Sequence, residues 1–235
     1  MPDRFVAPDR FVANDQITLA TGRRHFLKLG ASRALAVGLF PGLATVFSSA
    51  AVAQTSPEGA SGFIQWLAGQ ALQVLRSPNA TMTDKENILQ QLLAQGFDLP
   101  FIARFVLGRN WRKMSPQQRQ TYVAIYSRFF LNTYSRRFGG YEGQTFTVLS
   151  AHPAGKKDAV VKTRIERPGA APLISDWRIR ASKNQFRIID ISVEGVSMAV
   201  TQRSEFAAVV KNRGTEGLMA ALRARTDKLP VLTSN

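Results

Sequence analysis

Cysteine is absent from the 235 residues, which excludes disulfides, thiolate nucleophiles and zinc–cysteine sites. An oxidising compartment stays open to the chain, because nothing there requires cysteine. Histidine is almost missing as well: His25 and His152 are the two present, and only His152 lies beyond residue 53. There is no HExxH motif, no phosphate-cradling glycine loop and no ligand cluster with metal spacing. Acidic residues are scarce, 16 against 31 Lys and Arg. Past residue 53 no apolar run is long enough to span a membrane, so that part of the chain is expected to be soluble. What the sequence does have is apolar material. Apolar residues make up 45 % and charged residues 20 %, a globular balance with enough to bury a core and spare some for a ligand. The length allows one ordinary domain beside an export signal.

Residues 23–28, Arg-Arg-His-Phe-Leu-Lys, precede a mildly apolar stretch from Leu29 to Val52 that ends in Ala51-Val52-Ala53. A basic start, an apolar middle and a small-x-small exit are the three parts of a cleavable export signal. The paired arginines look like the twin-arginine type, although Gly22 stands where that motif usually has Ser or Thr. Residues 1–53 therefore read as an N-terminal extension plus signal, and 54–235 as the functional domain. The duplicated Pro-Asp-Arg-Phe-Val-Ala at 2–7 and 8–13 has no function that its residues suggest. Without Arg4, Arg10, Arg23, Arg24, Lys28, Arg33, Asp3, Asp9 and Asp15, the remainder keeps 25 basic and 13 acidic residues, net +12. Such a surface attracts polyanions, either nucleic acid or anionic membrane. Export removes nucleic acid as a partner and leaves the membrane surface.

Phe63, Ile64, Trp66, Leu67, Ala71, Leu72 and Leu75 recur at helical spacing over 62–75, before Pro78. Thr83-Asp84-Lys85-Glu86 has the pattern of a capping box and predicts a second helix that stops near Gly96. Asp98 is placed to cap a short third helix that closes at Gly108. Ser115-Pro116 supplies a cap and then proline at the first helical position. The long aromatic helix that follows is expected to run to about Phe138, before Gly139-Gly140.

After that the period changes from 3.6 to 2. Residues 144–152, 157–167, 172–182 and 185–195 are rich in Val, Ile, Thr, Phe and Trp and are separated by turn residues. Four strands joined by short turns predict an antiparallel meander. In the third, Ser175, Trp177 and Ile179 alternate with Asp176, Arg178 and Arg180, so one face is expected to be covered and the other wet and basic. Helices at about 198–212 and 215–227, separated by Gly214, close the chain. The class is α+β: helices packed over a four-stranded antiparallel sheet.

Three stretches then carry a resemblance. Phe105-Val106-Leu107-Gly108-Arg109-Asn110-Trp111-Arg112 with Ser115-Pro116-Gln117-Gln118-Arg119 resembles the segment before the long helix of the MlaC family, also called toluene-tolerance auxiliary proteins. Phe186 to Ser197 resembles that family's last strand and its exit, and Arg203-Ser204-Glu205-Phe206 the following helix. Tyr134 and Gly139-Gly140-Tyr141 fit between them, and the likeness spans about residues 60–228. It implies a periplasmic carrier, not an enzyme, with an apolar lipid cleft between sheet and helices that holds phospholipid by its acyl chains. The implied partners are an inner-membrane ABC transporter with an MCE-domain protein and an outer-membrane lipoprotein complex; no cofactor is implied beyond the lipid cargo. The family's usual signal is of the general secretory kind, from which the twin-arginine pattern departs. A closely related branch sits with hopanoid-lipid genes.

A lipid carrier needs an apolar cavity larger than close packing leaves. The long helix offers Phe129, Phe130, Tyr134 and Phe138 as wall residues, and the sheet offers Phe146, Val148, Val160, Trp177 and Ile179; the same residues could equally pack one core. The enzyme alternative is a cleft-bearing hydrolase or isomerase, for which His152, Asp190 and Glu194 are the candidates. Asp190 and Glu194 sit four apart on one strand, hence on one face, although pairing with Arg187 or Arg203 accounts for them more economically. A third alternative is a basic adaptor without a cavity.

Overall fold

A computed structural model describes residues 55–136, 143–182 and 185–227. The expected export signal, Phe138, Gly139-Gly140-Tyr141 and the expected turn at 183–184 lie outside the described residues. Helix α1 spans Pro57–Arg76, α2 Met82–Gly96, α3 Leu99–Leu107 and α4 Pro116–Ser135, with a 3-10 segment Gly108–Lys113 between α3 and α4. Strands β1 Thr145–Ala154, β2 Asp158–Arg167, β3 Ala170–Ser182 and β4 Gln185–Val193 follow, then a two-residue β5, Val196–Ser197, and α5, Met198–Asp227. The sheet order is β1-β2-β3-β4-β5 and every pairing is antiparallel. The meander expected from the sequence is therefore present, extended by the short β5, which Glu194-Gly195 folds back along the end of β4.

Each helix begins where a side chain satisfies its orphan amides. Ser56 accepts from the Gly59 amide at 2.9 Å, with Pro57 at the first turn, so α1 starts five residues before its apolar period becomes visible. The capping box of α2 is two residues earlier than the expected Thr83–Glu86 pair. Thr81 accepts from the Asp84 amide at 3.1 Å and Asp84 accepts from the Thr81 amide at 3.3 Å. Both pairs have the right spacing; the one directly after the Pro78-Asn79-Ala80 bend wins, because the chain is already extended there. Glu86 is thereby released to pair with Arg136 at 3.1 Å, which ties α2 to the end of α4. Asp98 and Ser115 cap α3 and α4 as expected, and Gly214 (φ 68°) breaks α5 into two helical segments.

Gly108 ends α3 at φ 60°, ψ −132°, a conformation open essentially to glycine alone. It also lies against the Arg203 guanidinium, which covers the Phe105 ring at 5.2 Å. The motif Phe105–Gly108 and the distant Arg203 are thus two halves of one contact.

Helix α1 lies over β1 and β2, α2 lies against α1 and α4, and α5 contacts α3, α4 and β4. The centre of the core is Tyr122, Tyr126, Phe206, Ile179, Ile188 and Leu222, all essentially inaccessible. Thr55 staples the start of the domain to the sheet: its hydroxyl donates to the Lys157 carbonyl at 2.6 Å and accepts from the Ala181 amide at 2.7 Å.

The outer sheet face is less free in its charge than alternation alone suggests. Arg178 and Arg180 both bind the buried Asp158, at 2.8 and 2.6 Å. Arg164 pairs with Glu166, and Lys162 lies 3.9 Å from Asp176. Burial by itself would raise the Asp158 pKa, but the hydrogen bonds and charges of Arg180 and Arg178 outweigh it and hold the carboxyl below its ordinary value of 3.8. The folded form then binds that proton less readily than the unfolded chain, so the stabilisation is complete above the ordinary carboxylate pKa and is lost as pH falls through the lower folded value.

Asp158→Asn is accordingly expected to lower stability by about 1–3 kcal/mol at pH 7, with the gap to wild type closing in acid denaturation below about pH 3.8. A gap independent of pH would contradict this assignment. Gly108→Ala places a Cβ 3.0 Å from Arg203 Nε in a disfavoured conformation. It should cost about 1–3 kcal/mol, read as a lower denaturant midpoint at unchanged m-value.

Candidate functional site

Four aromatic residues spaced by four run along one side of α4: Tyr122, Tyr126, Phe130 and Tyr134. Successive ring centroids are 6.1, 6.2 and 4.5 Å apart. The lower part of this stripe is core. Tyr122 donates to the Ala103 carbonyl at 3.1 Å, fixing α3 against α4, and Tyr126 donates to Gln202 Oε1 at 2.6 Å, fixing α5. Burial, and after it the neighbouring Tyr122, Tyr134 and Asp190, hold the Tyr126 phenol far above its ordinary range, so it stays a proton donor.

Higher on the stripe the packing opens into a cavity of about 390 Å³, the size of a small-molecule pocket. From α4 it receives Tyr126, Phe130 and Tyr134. From α1 it receives Ile64, Leu67, Ala68, Ala71, Leu72 and Leu75, a continuous i, i+3, i+4, i+7 face. Leu89, Leu92 and Leu93 of α2, with Phe97 and Ile102, close the interior end. The sheet side includes Phe146, Ile165, Trp177, Ile191 and Val193 with the polar Thr145, Ser175 and Asp190, and α5 adds Met198, Ala199 and Gln202. The α1 stripe shows the transition directly. Ile64 is 2 % exposed, whereas Leu67 to Leu75 on the same face are half-exposed, because they face open space.

Polar groups in this wall are few and mostly engaged. Trp177 Nε1 donates to Thr163 Oγ1 at 2.8 Å. Asp190 accepts from Ser197 Oγ at 2.6 Å and from the Ala199 amide at 3.0 Å, so it caps α5. Glu194 accepts from the Ile174 amide at 2.9 Å and stands in the turn after β4 at φ 48°. The expected Asp190–Glu194 face is therefore broken by a turn. Nor do these acids pair with Arg187 or Arg203: Arg187 donates to Phe186 O and Gln185 Oε1, and Arg203 covers Phe105. His152 is exposed and opposite Val160 in the β1–β2 register, away from the cavity. The structure does not bring the three enzyme candidates together. Among the described residues no group of three or more His, Asp or Glu side chains could hold a metal ion, and no helix is long and apolar enough to cross a membrane.

Of the residues picked as walls, Phe130, Tyr134, Phe146 and Trp177 line the cavity. Phe129 is buried beside Tyr126, one position off the lining stripe. Ile179 is core at 0 % exposure. Val160 pairs with Arg178 and so belongs to the outer face of β2, while its neighbour Val161 faces inward at 0 % exposure. Val148 is half-exposed on β1, beside the Leu149 irregularity, and is not among the lining residues. Phe138 lies outside the described residues. Sequence reasoning missed the α1 and α2 walls, although the small Ala68 and Ala71 on an apolar stripe were a signal: they leave the room that larger residues would fill.

Among solved structures, the chain is similar to the phospholipid-binding protein from Ralstonia solanacearum, determined in complex with a phospholipid. The two are 23 % identical with a TM-score of 0.62, and the match covers 72 % of this chain and 97 % of that one; at this identity the likeness speaks for the fold alone. The family model for the MlaC protein matches residues 65–224, from within α1 to within the second segment of α5. That span holds nearly every wall of the cavity together with the Gly108–Arg203 contact, and on it the chain belongs to the MlaC family.

Proposed function

We propose that this protein is a periplasmic lipid carrier that holds phospholipid by its acyl chains in the cavity between α1, α4 and the sheet. The observation that carries the reading is the cavity itself: an apolar stripe on α1 faces space instead of side chains. Each methylene moved from water into such a wall contributes about 0.8 kcal/mol, so acyl chains bind strongly without a catalytic group. The scarcity of polar atoms in the wall favours chains over headgroups inside, leaving the headgroup in solvent at the half-open mouth. Phe130, Tyr134, Phe146 and Trp177 are the aromatic contacts of the chains in this reading, and α1 contributes the aliphatic ones.

Membership of the MlaC family and the phospholipid in the Ralstonia solanacearum relative support the cargo class. The carrier's route in this proposal runs between an outer-membrane lipoprotein complex and an inner-membrane ABC transporter bearing an MCE-domain protein, after export by the N-terminal signal and its removal near Ala53. The net positive charge of the domain speeds encounter with anionic membranes and acidic docking partners.

Mass spectrometry of protein purified natively without detergent is expected to find phospholipid at about one molecule per chain. An empty protein that also takes no lipid from vesicles would end the carrier reading. Ala71→Trp is expected to fill the cavity and cut co-purifying lipid by about tenfold, with a cooperative melt retained. Unchanged lipid content in that variant would remove the cavity from the mechanism.

A further inference from the structure

Two side chains of the cavity wall, Gln202 and Ser175, carry a hydrogen-bond donor that has no partner among the described residues. Gln202 on α5 spends its Oε1 on the Tyr126 hydroxyl, and its Nε2 has no partner among the described residues while the side chain lines the cavity. Ser175 on β3 is 3 % exposed and also lines the cavity. Its carbonyl accepts from Thr163, but its hydroxyl has no partner among the described residues. One donor thus comes from the helical wall and one from the sheet wall, in a site whose lining is mostly apolar. An unmet donor covered by acyl chains costs more than a hydrogen bond normally returns. A purely hydrocarbon cargo would leave both unmet.

The electrostatics select the kind of acceptor. Asp190 lies at the same end, three residues before the Val193 exit of β4 and bonded to the Ala199 amide one turn before Gln202. Its charge is close enough to act on Tyr126. A carboxylate there opposes a phosphate or a free fatty-acid carboxylate, and tolerates a neutral oxygen. We infer that Gln202 and Ser175 form a polar clasp for the acyl-ester carbonyl oxygens of the bound lipid, so that the carrier discriminates ester-linked from ether-linked chains. This rests on the carrier reading above and adds a specificity determinant to it. The carboxamide of Gln202 is held by Tyr126, which donates to its Oε1 at 2.6 Å, and in this proposal Nε2 is the end that meets the cargo. Sites built around a hydrogen bond reject analogues that lack the partner more strongly than apolar walls reject a change of size.

The test incubates the protein with vesicles holding equal amounts of diacyl and dialkyl-ether phosphatidylethanolamine of matched chain length, and weighs the bound lipid by mass spectrometry. Wild type is expected to enrich the diacyl lipid about fivefold, the worth of roughly one net hydrogen bond. Gln202→Met should bring the ratio close to one, and Ser175→Ala should lower it to an intermediate value, each in protein that still melts cooperatively. Equal loading of the two lipids by wild type overturns the clasp and leaves the carrier reading standing. A wild-type preference that both variants retain overturns it as well. Loading of neither lipid by wild type overturns the carrier reading and the clasp with it.

Discussion

Two tyrosine hydroxyls on α4 hold the helical layer together. Tyr122 and Tyr126 are both essentially inaccessible, one bound to the backbone of α3 and the other to Gln202 of α5. A buried phenol left without a partner is costly, so these two bonds fix where α3 and α5 lie relative to α4. Once those three helices are set, α1 and α2 close over the sheet from the other side. The residual space between the two groups is the cavity. It exists because the aromatic stripe continues upward through Phe130 and Tyr134 while the facing stripe on α1 turns from Ile64 to the smaller Ala68 and Ala71.

A protein that keeps a void of this size gives up packing, since interiors are ordinarily filled to crystal-like density. Several features hold the frame around it. Thr55 joins the ends of β2 and β3, Asp158 gathers Arg178 and Arg180 on the outer face, and Asp190 caps α5 where it leaves the sheet. The Gly108–Arg203 contact locks the end of α3 to α5. Asp190 stands in the cavity wall itself, and the other three lie away from its lining. The MlaC-type motifs at 105–112, 186–197 and 203–206 fall largely on this frame, so what marks the family in this chain is the scaffold that keeps the space open.

Charge follows the same division. The net excess of basic residues is a property of the whole chain, yet Lys162, Arg164, Arg178 and Arg180 on the sheet are matched to Asp176, Glu166 and Asp158. In the carrier proposal, attraction of the domain to anionic surfaces therefore draws on the basic residues outside these pairs.

The sequence by itself determined the elements and their order. Caps at Asp98 and Ser115, the break at Gly214 and the change of period near residue 144 act over one or two turns, and such short-range signals are written in adjacent residues. Where two caps competed, at Thr81 and Thr83, spacing alone could not choose, since the backbone before them decided. Which apolar residues wall a cavity was a tertiary matter. Helical period puts Ile64 and Leu72 on one face, and both line the cavity although Ile64 is buried; strand period puts Trp177 and Ile179 on one face, yet that pair divides between cavity and core. Only the separation between layers sets that division, and it is a distance between parts of the chain that are far apart in sequence. The same holds for Gln202: nothing adjacent to it announces that Tyr126, 76 residues earlier, takes one end of its amide at the wall of the cavity.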